Sequence, residues 1–470
     1  MYRTLSSRLD SLRLWIAPFC RDLMAGRFER WRWPLFGLCA LFLAGSALSH
    51  NLNVSNYLHA RATSADWGVT DHWIASAECA RKTGAWLVTC QGDRLAPLAN
   101  QALADDPGHA LLLEIWAVIA DRSLKVGDAA SLNVALNVFG MLSIATLLFA
   151  ARLHVASLIV LVYGGGVYLD WTGVSPHPGL VGAASFAAVL PCTLILAELG
   201  YLSRPARLAG LFGGAILLGV AALLREPIGM MGFIVSLAAI AYVALSRREL
   251  GRWLRLVPLF VLAVVSWQTP RWVLLARDAV FSVPKTAQIE THGISHNLYL
   301  GLGAIENKFG LSWTDAAGAK AVADIDPKVA YVSREYFRVL WRAYLQRVGE
   351  DPVEVLRIYA TKTGIILGYS FPDKTTPLWL IVLGGVALLL AGWRWELWSR
   401  MGCPQAPAVL CVALSFLALF VLQGAVAHHS RPYAHPIGAF VLIVLAVGGE
   451  LLARSAVTWA GSRPEARSLR

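Results

Sequence analysis

The sequence predicts an all-α polytopic membrane protein, with about ten transmembrane helices and two large outward-facing loops that contain interfacial helices. Three observations predict it. Of 470 residues, 57% are apolar and only 15% are charged, whereas a soluble chain is about 25% charged. Charge that sparse cannot cover a water-exposed surface of this size. Apolar runs close to the length of about 20 residues that crosses about 30 Å of hydrocarbon recur along the chain. The formal charge of +11 gathers in short connections on one side of those runs, as the positive-inside rule requires. A cytosolic enzyme, a disordered chain and a coiled coil are excluded. The surplus charge is topological, so no nucleic-acid partner is indicated.

Residues 1–32 form a basic N-terminus with Arg3, Arg8, Arg13, Arg21, Arg27, Arg30 and Arg32. Residues 12–28 read as an amphipathic stretch on an anionic cytoplasmic leaflet. The first apolar run has no small-residue cleavage motif after it, so 33–50 reads as a retained span. The remaining spans are 131–151, 155–171, 179–200, 207–224, 227–246, 254–276, 377–393, 406–426 and 434–453. Pro270 interrupts 254–276, removing a backbone donor and kinking the helix. The chain thus divides into an N-terminal transmembrane module (33–276) with an outer loop at 51–130, a large outer loop (277–376), C-terminal transmembrane helices (377–453) and a basic tail (454–470). Ten spans place both termini in the cytoplasm.

Within the first outer loop, residues 108–120 are apolar but too short to cross and carry Glu114, which predicts a helix lying at the interface. Asp71 stands where a helix starting at His72 wants its N-cap, and Gly84 suits that helix's end. Capping and proton transfer are both open to Asp71. Cys79 and Cys90 are a candidate disulfide in an oxidising compartment. No CxxC pair suggests a structural metal site.

Polar groups otherwise gather in short outward turns. LLREP places Arg225 and Glu226 between two spans, either as an internal ion pair or as a functional site. YLDWTGVSPHPGL carries Asp170 and His177, and AHHSRPYAHPIG carries His428, His429, Arg431, Tyr433 and His435. Arg suits a phosphate, and Arg and Tyr also suit interfacial anchoring. In the large loop, GLGAIE lacks the third glycine of a dinucleotide fingerprint. Two amphipathic helices follow, the second capped by Asp351, Pro352 and Glu354.

Taken in order, these features resemble the GT-C superfamily of membrane glycosyltransferases that use polyprenyl-phosphate sugars, of the dolichyl-phosphate-mannose mannosyltransferase and aminoarabinose-transferase kind. The resemblance covers about 33–250 and returns at 428–450. It rests on TDHWIASAECARKTG after the first span, then DDPGHALLLEIW, SLNVALNVFGMLSIATLLFAAR, LLREP and SRPYAHP. It implies a hexosyl- or pentosyltransferase in a bacterial inner membrane, taking its sugar from a polyprenyl-phosphate donor. The acceptor is a glycan, lipid or protein hydroxyl. Asp71 would be the catalytic base. Arg225, Arg431, His177, Tyr433, His72 and Asp170 would bind substrate or phosphate, and His292, His296 and Asn297 would meet the acceptor. No cofactor follows from these residues, and a divalent metal stays open. A transporter or flippase for a lipid-linked glycan, or an inactive scaffold of envelope assembly, is the alternative.

Overall fold

The computed structural model describes residues 32–61, 69–92, 94–98, 107–168, 179–246, 250–283, 293–371, 376–394, 396–429 and 434–461. Asp170, His177, His292, Arg431, Tyr433 and the amphipathic stretch 12–28 lie outside them. Of the described residues, 80% are helical. In chain order the elements are α1 (Arg32–Arg61), α2 (Val69–Thr83), a hairpin of β1 (Val88–Gln91) and β2 (Arg94–Pro97), α3 (Pro107–Ala120), α4 (Val126–Ala150), α5 (His154–Tyr168), α6 (Leu180–Glu198), α7 (Arg204–Leu224), α8 (Glu226–Ser246), α9 (Leu250–Trp267) and α10 (Thr269–Phe281). There follow α11 (Ile294–Gly301), α12 (Asp315–Ile325), α13 (Arg334–Glu350), α14 (Pro352–Leu367), α15 (Leu378–Arg394), α16 (Leu397–Arg400), α17 (Ala406–Val426) and α18 (Ile437–Gly461).

Seven helices among the described residues are long and apolar enough to cross a membrane: α1, α4, α6, α7, α8, α17 and α18. Together α9 and α10 supply an eighth, bent by 60°. The bend falls at Gln268, and Pro270 in the first turn of α10 supplies the missing donor that the sequence predicts there. The other two apolar runs form α5, of 15 residues, and α15, of 17. At about 1.5 Å per residue each falls short of about 30 Å. Among the described residues long spans therefore number seven, or eight if the bent pair is one span, and the other two of the ten expected runs form these shorter helices.

At the centre lies α6, almost wholly buried. Small residues let its neighbours approach. A Cβ on Gly182 would stand 2.1 Å from the Leu136 carbonyl oxygen, and one on Gly140 would stand 2.5 Å from the Gly182 Cα. The Asn137 side chain accepts from the Gly182 amide at 2.9 Å across the same crossing.

One end of the bundle has only short turns, locked by Glu450. Its carboxylate accepts from the Ala156 amide at 2.9 Å and from Arg454 at 2.7 Å. Arg454 also donates to the carbonyls of Gly402 and Arg152. The opposite end carries the two long insertions. The first packs α2 on α3 and closes with the antiparallel hairpin, Val88 opposite Pro97. A disulfide joins Cys79 of α2 to Cys90 of β1. The second insertion folds α11, α12 and α13 around the buried Tyr299, Leu300, Val322, Tyr336 and Leu340, and α14 packs Val355 and Ile358 with Leu302.

Candidate active site

The α2 helix begins at Val69, so Asp71 lies within its first turn rather than at the cap of a helix starting at His72. The two preceding residues are already helical because Thr70 and Trp73 bury together on one face, which carries the helix back beyond the expected start. Asp71 and His72 fall on the exposed face. At the far end Gly84 takes a φ of +73° and its amide closes on the Ala80 carbonyl at 2.7 Å.

Short contacts lead from this turn to Arg225. Trp73 stacks on His109 of α3, with ring centroids 5.1 Å apart and planes within 9°. The adjacent Gly108 touches the last turn of α7, where a Cβ would stand 2.7 Å from the Leu223 carbonyl carbon. Arg225 follows directly. Its backbone is extended, which breaks α7 from α8, yet its amide still reaches Ala221 and its carbonyl accepts from Ile228 at 3.0 Å. The first turn of α2, the first turn of α3 and the α7–α8 break therefore share one corner of the insertion end.

Beneath that corner lies a buried acid. Glu114 of α3 accepts from the Ser76 hydroxyl of α2 and from the Leu87 amide at 2.8 Å. Burial pushes its carboxyl up to about 7, against the pull of Ser76, Leu87 and Arg277. Arg277, itself buried, donates to the Leu87 carbonyl at 3.1 Å and pairs with Asp278 at 2.7 Å. Leu87 has φ +56°, a left-handed conformation that a branched side chain disfavours. With its amide held by Glu114 and its carbonyl by Arg277, that strained residue is clamped on both sides. In the sequence Glu114 marks only a short apolar run.

A second polar cluster joins the late insertion to the bundle. Lys362 of α14 is fully buried. Its ammonium donates to the Gly301 carbonyl at 2.8 Å and the Ala427 carbonyl at 2.9 Å, the C-terminal ends of α11 and α17. Those ends carry the negative pole of each helix dipole. Burial pushes Lys362 down to about 7. The neighbouring His428 is pushed down to about 4 by burial, with His429 and Lys362 adding repulsion. Tyr369 donates to the His429 carbonyl. Residues 430–433, with Arg431 and Tyr433, continue from this point. Sequence reasoning missed Lys362, a lone cation in the apolar stretch ATKTGIIL.

Of the acceptor-loop residues, His296 is buried, its ring nitrogens 3.0 Å from the Tyr336 hydroxyl and 3.2 Å from Asp315. It pins α11, α12 and α13 together. Asn297 is half-buried on the next position of α11. Among the described residues no group of three His, Cys, Asp or Glu side chains is placed to hold a metal ion. No family model, curated protein or solved structure matches the chain.

Proposed function

We propose that this protein is an integral-membrane glycosyltransferase moving a sugar from a polyprenyl-phosphate donor to a hydroxyl of a glycan, lipid or protein, in a bacterial inner membrane with its insertions on the periplasmic side. The observation that carries the reading is the corner where the exposed Asp71 heads α2 and Arg225 breaks α7 from α8. The acceptor oxygen bonds to the anomeric carbon while the bond from that carbon to the phosphate oxygen breaks. Asp71 takes the acceptor proton. The electron pair leaves with the polyprenyl phosphate, whose growing charge faces Arg225 and Arg431, with His177 and Tyr433 donating hydrogen bonds. A lipid phosphate is already a competent leaving group, so no nucleotide is required.

The test is the reconstituted chain in liposomes with a labelled polyprenyl-phosphate sugar. Asp71→Asn should slow transfer by about 10²- to 10⁴-fold, the usual contribution of a general base, with the Cys79–Cys90 disulfide intact. Full transfer by that variant would remove Asp71 from the reaction.

A further inference from the structure

The late insertion holds a cleft that the corner around Asp71 does not use. Its volume is about 590 Å³, and its lining includes Tyr299, Thr314, Lys320, Asp324, Gln346 and Arg347. That volume lies inside the range of about 300–1,000 Å³ usual for small-ligand sites.

Each wall is fixed before any ligand arrives. Asp315 ties the first turn of α12 to His296, and His296 ties it on to Tyr336 of α13. Thr314 caps α12 by accepting from the Ala317 amide at 3.2 Å. Asn307 folds the intervening loop on itself, donating to the Leu311 carbonyl at 2.9 Å and accepting from the Leu311 amide at 3.1 Å. At the back, the Arg347 side chain is held at 2.6 Å by Glu350. Preorganised walls remove the ordering cost that weakens binding at loose surfaces.

The lining chemistry selects the class of occupant. Lys320 and Asp324 are opposite charges one helical turn apart, and Arg347 is neutralised by Glu350, so the cleft has no net pull on an ion. It offers donors (Lys320, Arg347 and the Gln346 amide) beside acceptors (Asp324, Thr314 and the Gln346 carbonyl). A sugar hydroxyl is both donor and acceptor and needs such a mixed set. Between the polar groups the walls carry Ala316, Ala317, Ala321 and Ala343 with Leu311 and Ile325, an apolar face for a pyranose ring.

We infer that this cleft, between α12, α13 and the 310–314 loop, binds a neutral, hydroxyl-rich saccharide as a subsite for the acceptor glycan. The word acceptor rests on the proposed reaction; saccharide binding does not. The 310–314 loop connects the two regions, because Trp313 packs on His428 at 4.5 Å, next to the turn that carries Arg431.

Saturation-transfer NMR on the full chain in nanodiscs tests this, with lactose, maltotriose, diacetylchitobiose and a neutral octapeptide as probes. At least one saccharide should bind, and Asp324→Ala/Gln346→Ala should weaken it at least tenfold. Both side chains are exposed, and Lys320→Ala, at a third exposed position, serves as a second variant. Asp71→Asn should leave this binding unchanged. No saccharide signal, binding unaffected by either variant, or peptide binding alone would overturn the inference. Saccharide binding lost in the cleft variants, in a protein that shows no sugar transfer, would keep the cleft and sink the reaction.

Discussion

Burial acts on Glu114 and Lys362 in the same way, by disfavouring the charged form, yet the two side chains respond to pH in opposite directions. Folded Glu114 keeps its proton up to about 7, whereas an unfolded carboxyl releases it near 4.5. The folded state binds more protons between those values, so this stabilisation is complete below 4.5 and lost as pH rises through about 7. Relative to Glu114→Gln, wild-type protein should lose about 3 kcal/mol of stability across that window. Unfolding followed in nanodiscs from pH 4 to 8 checks it, and a constant difference would contradict it. Folded Lys362 loses its proton near 7 and unfolded lysine near 10.5, so stability should rise with pH over that range. Lys362→Met should flatten the rise and leave the Gly301 and Ala427 carbonyls short of a donor, at a cost of about 1–3 kcal/mol. Neither role was legible in the sequence. A single acid or lysine in an apolar stretch reads the same whether it snorkels or clasps, and partners such as Leu87 and Ala427 lie 27 and 65 positions away.

Element positions were legible where local chemistry sets them. The Asp351 side chain accepts from the Glu354 amide at 2.9 Å and starts α14 where the sequence predicts it. The break at Pro270 is likewise local. The β-hairpin was not foreseen, because strands of four residues each are too short to set a period-2 pattern apart from its surroundings. Helix crossings depend on contacts that no local pattern reveals. Gly182→Ala forces a Cβ to 2.1 Å from the Leu136 oxygen, a backbone atom that cannot rotate away. It should destabilise the bundle by about 1–3 kcal/mol, seen as a lower Tm in detergent. Gly108→Ala pushes α3 off the last turn of α7 and, through the Trp73–His109 stack, shifts the head of α2. Transfer should fall in this variant more than stability does. Equal losses in both would give Gly108 a packing role alone.

At the scale of the molecule, composition was enough to establish a multi-pass helical protein, because hydrocarbon demands internally satisfied backbones and apolar surfaces whatever the fold. Apolar runs alone do not separate full-length spans from shorter helices, and α5 and α15, at 15 and 17 residues, fall among the shorter ones. Both insertions fold as helical layers on one end of the bundle, each anchored there by a buried charge. The proposed transfer depends on that end gathering Asp71 and Arg225 around one reacting phosphate sugar. Single-turnover transfer by Asp71→Asn, Arg225→Gln and the double variant measures this most directly, since residues serving one transition state act as a unit. The double variant should be little slower than the slower single. Losses that multiply independently, or full transfer by either single variant, would contradict a shared site.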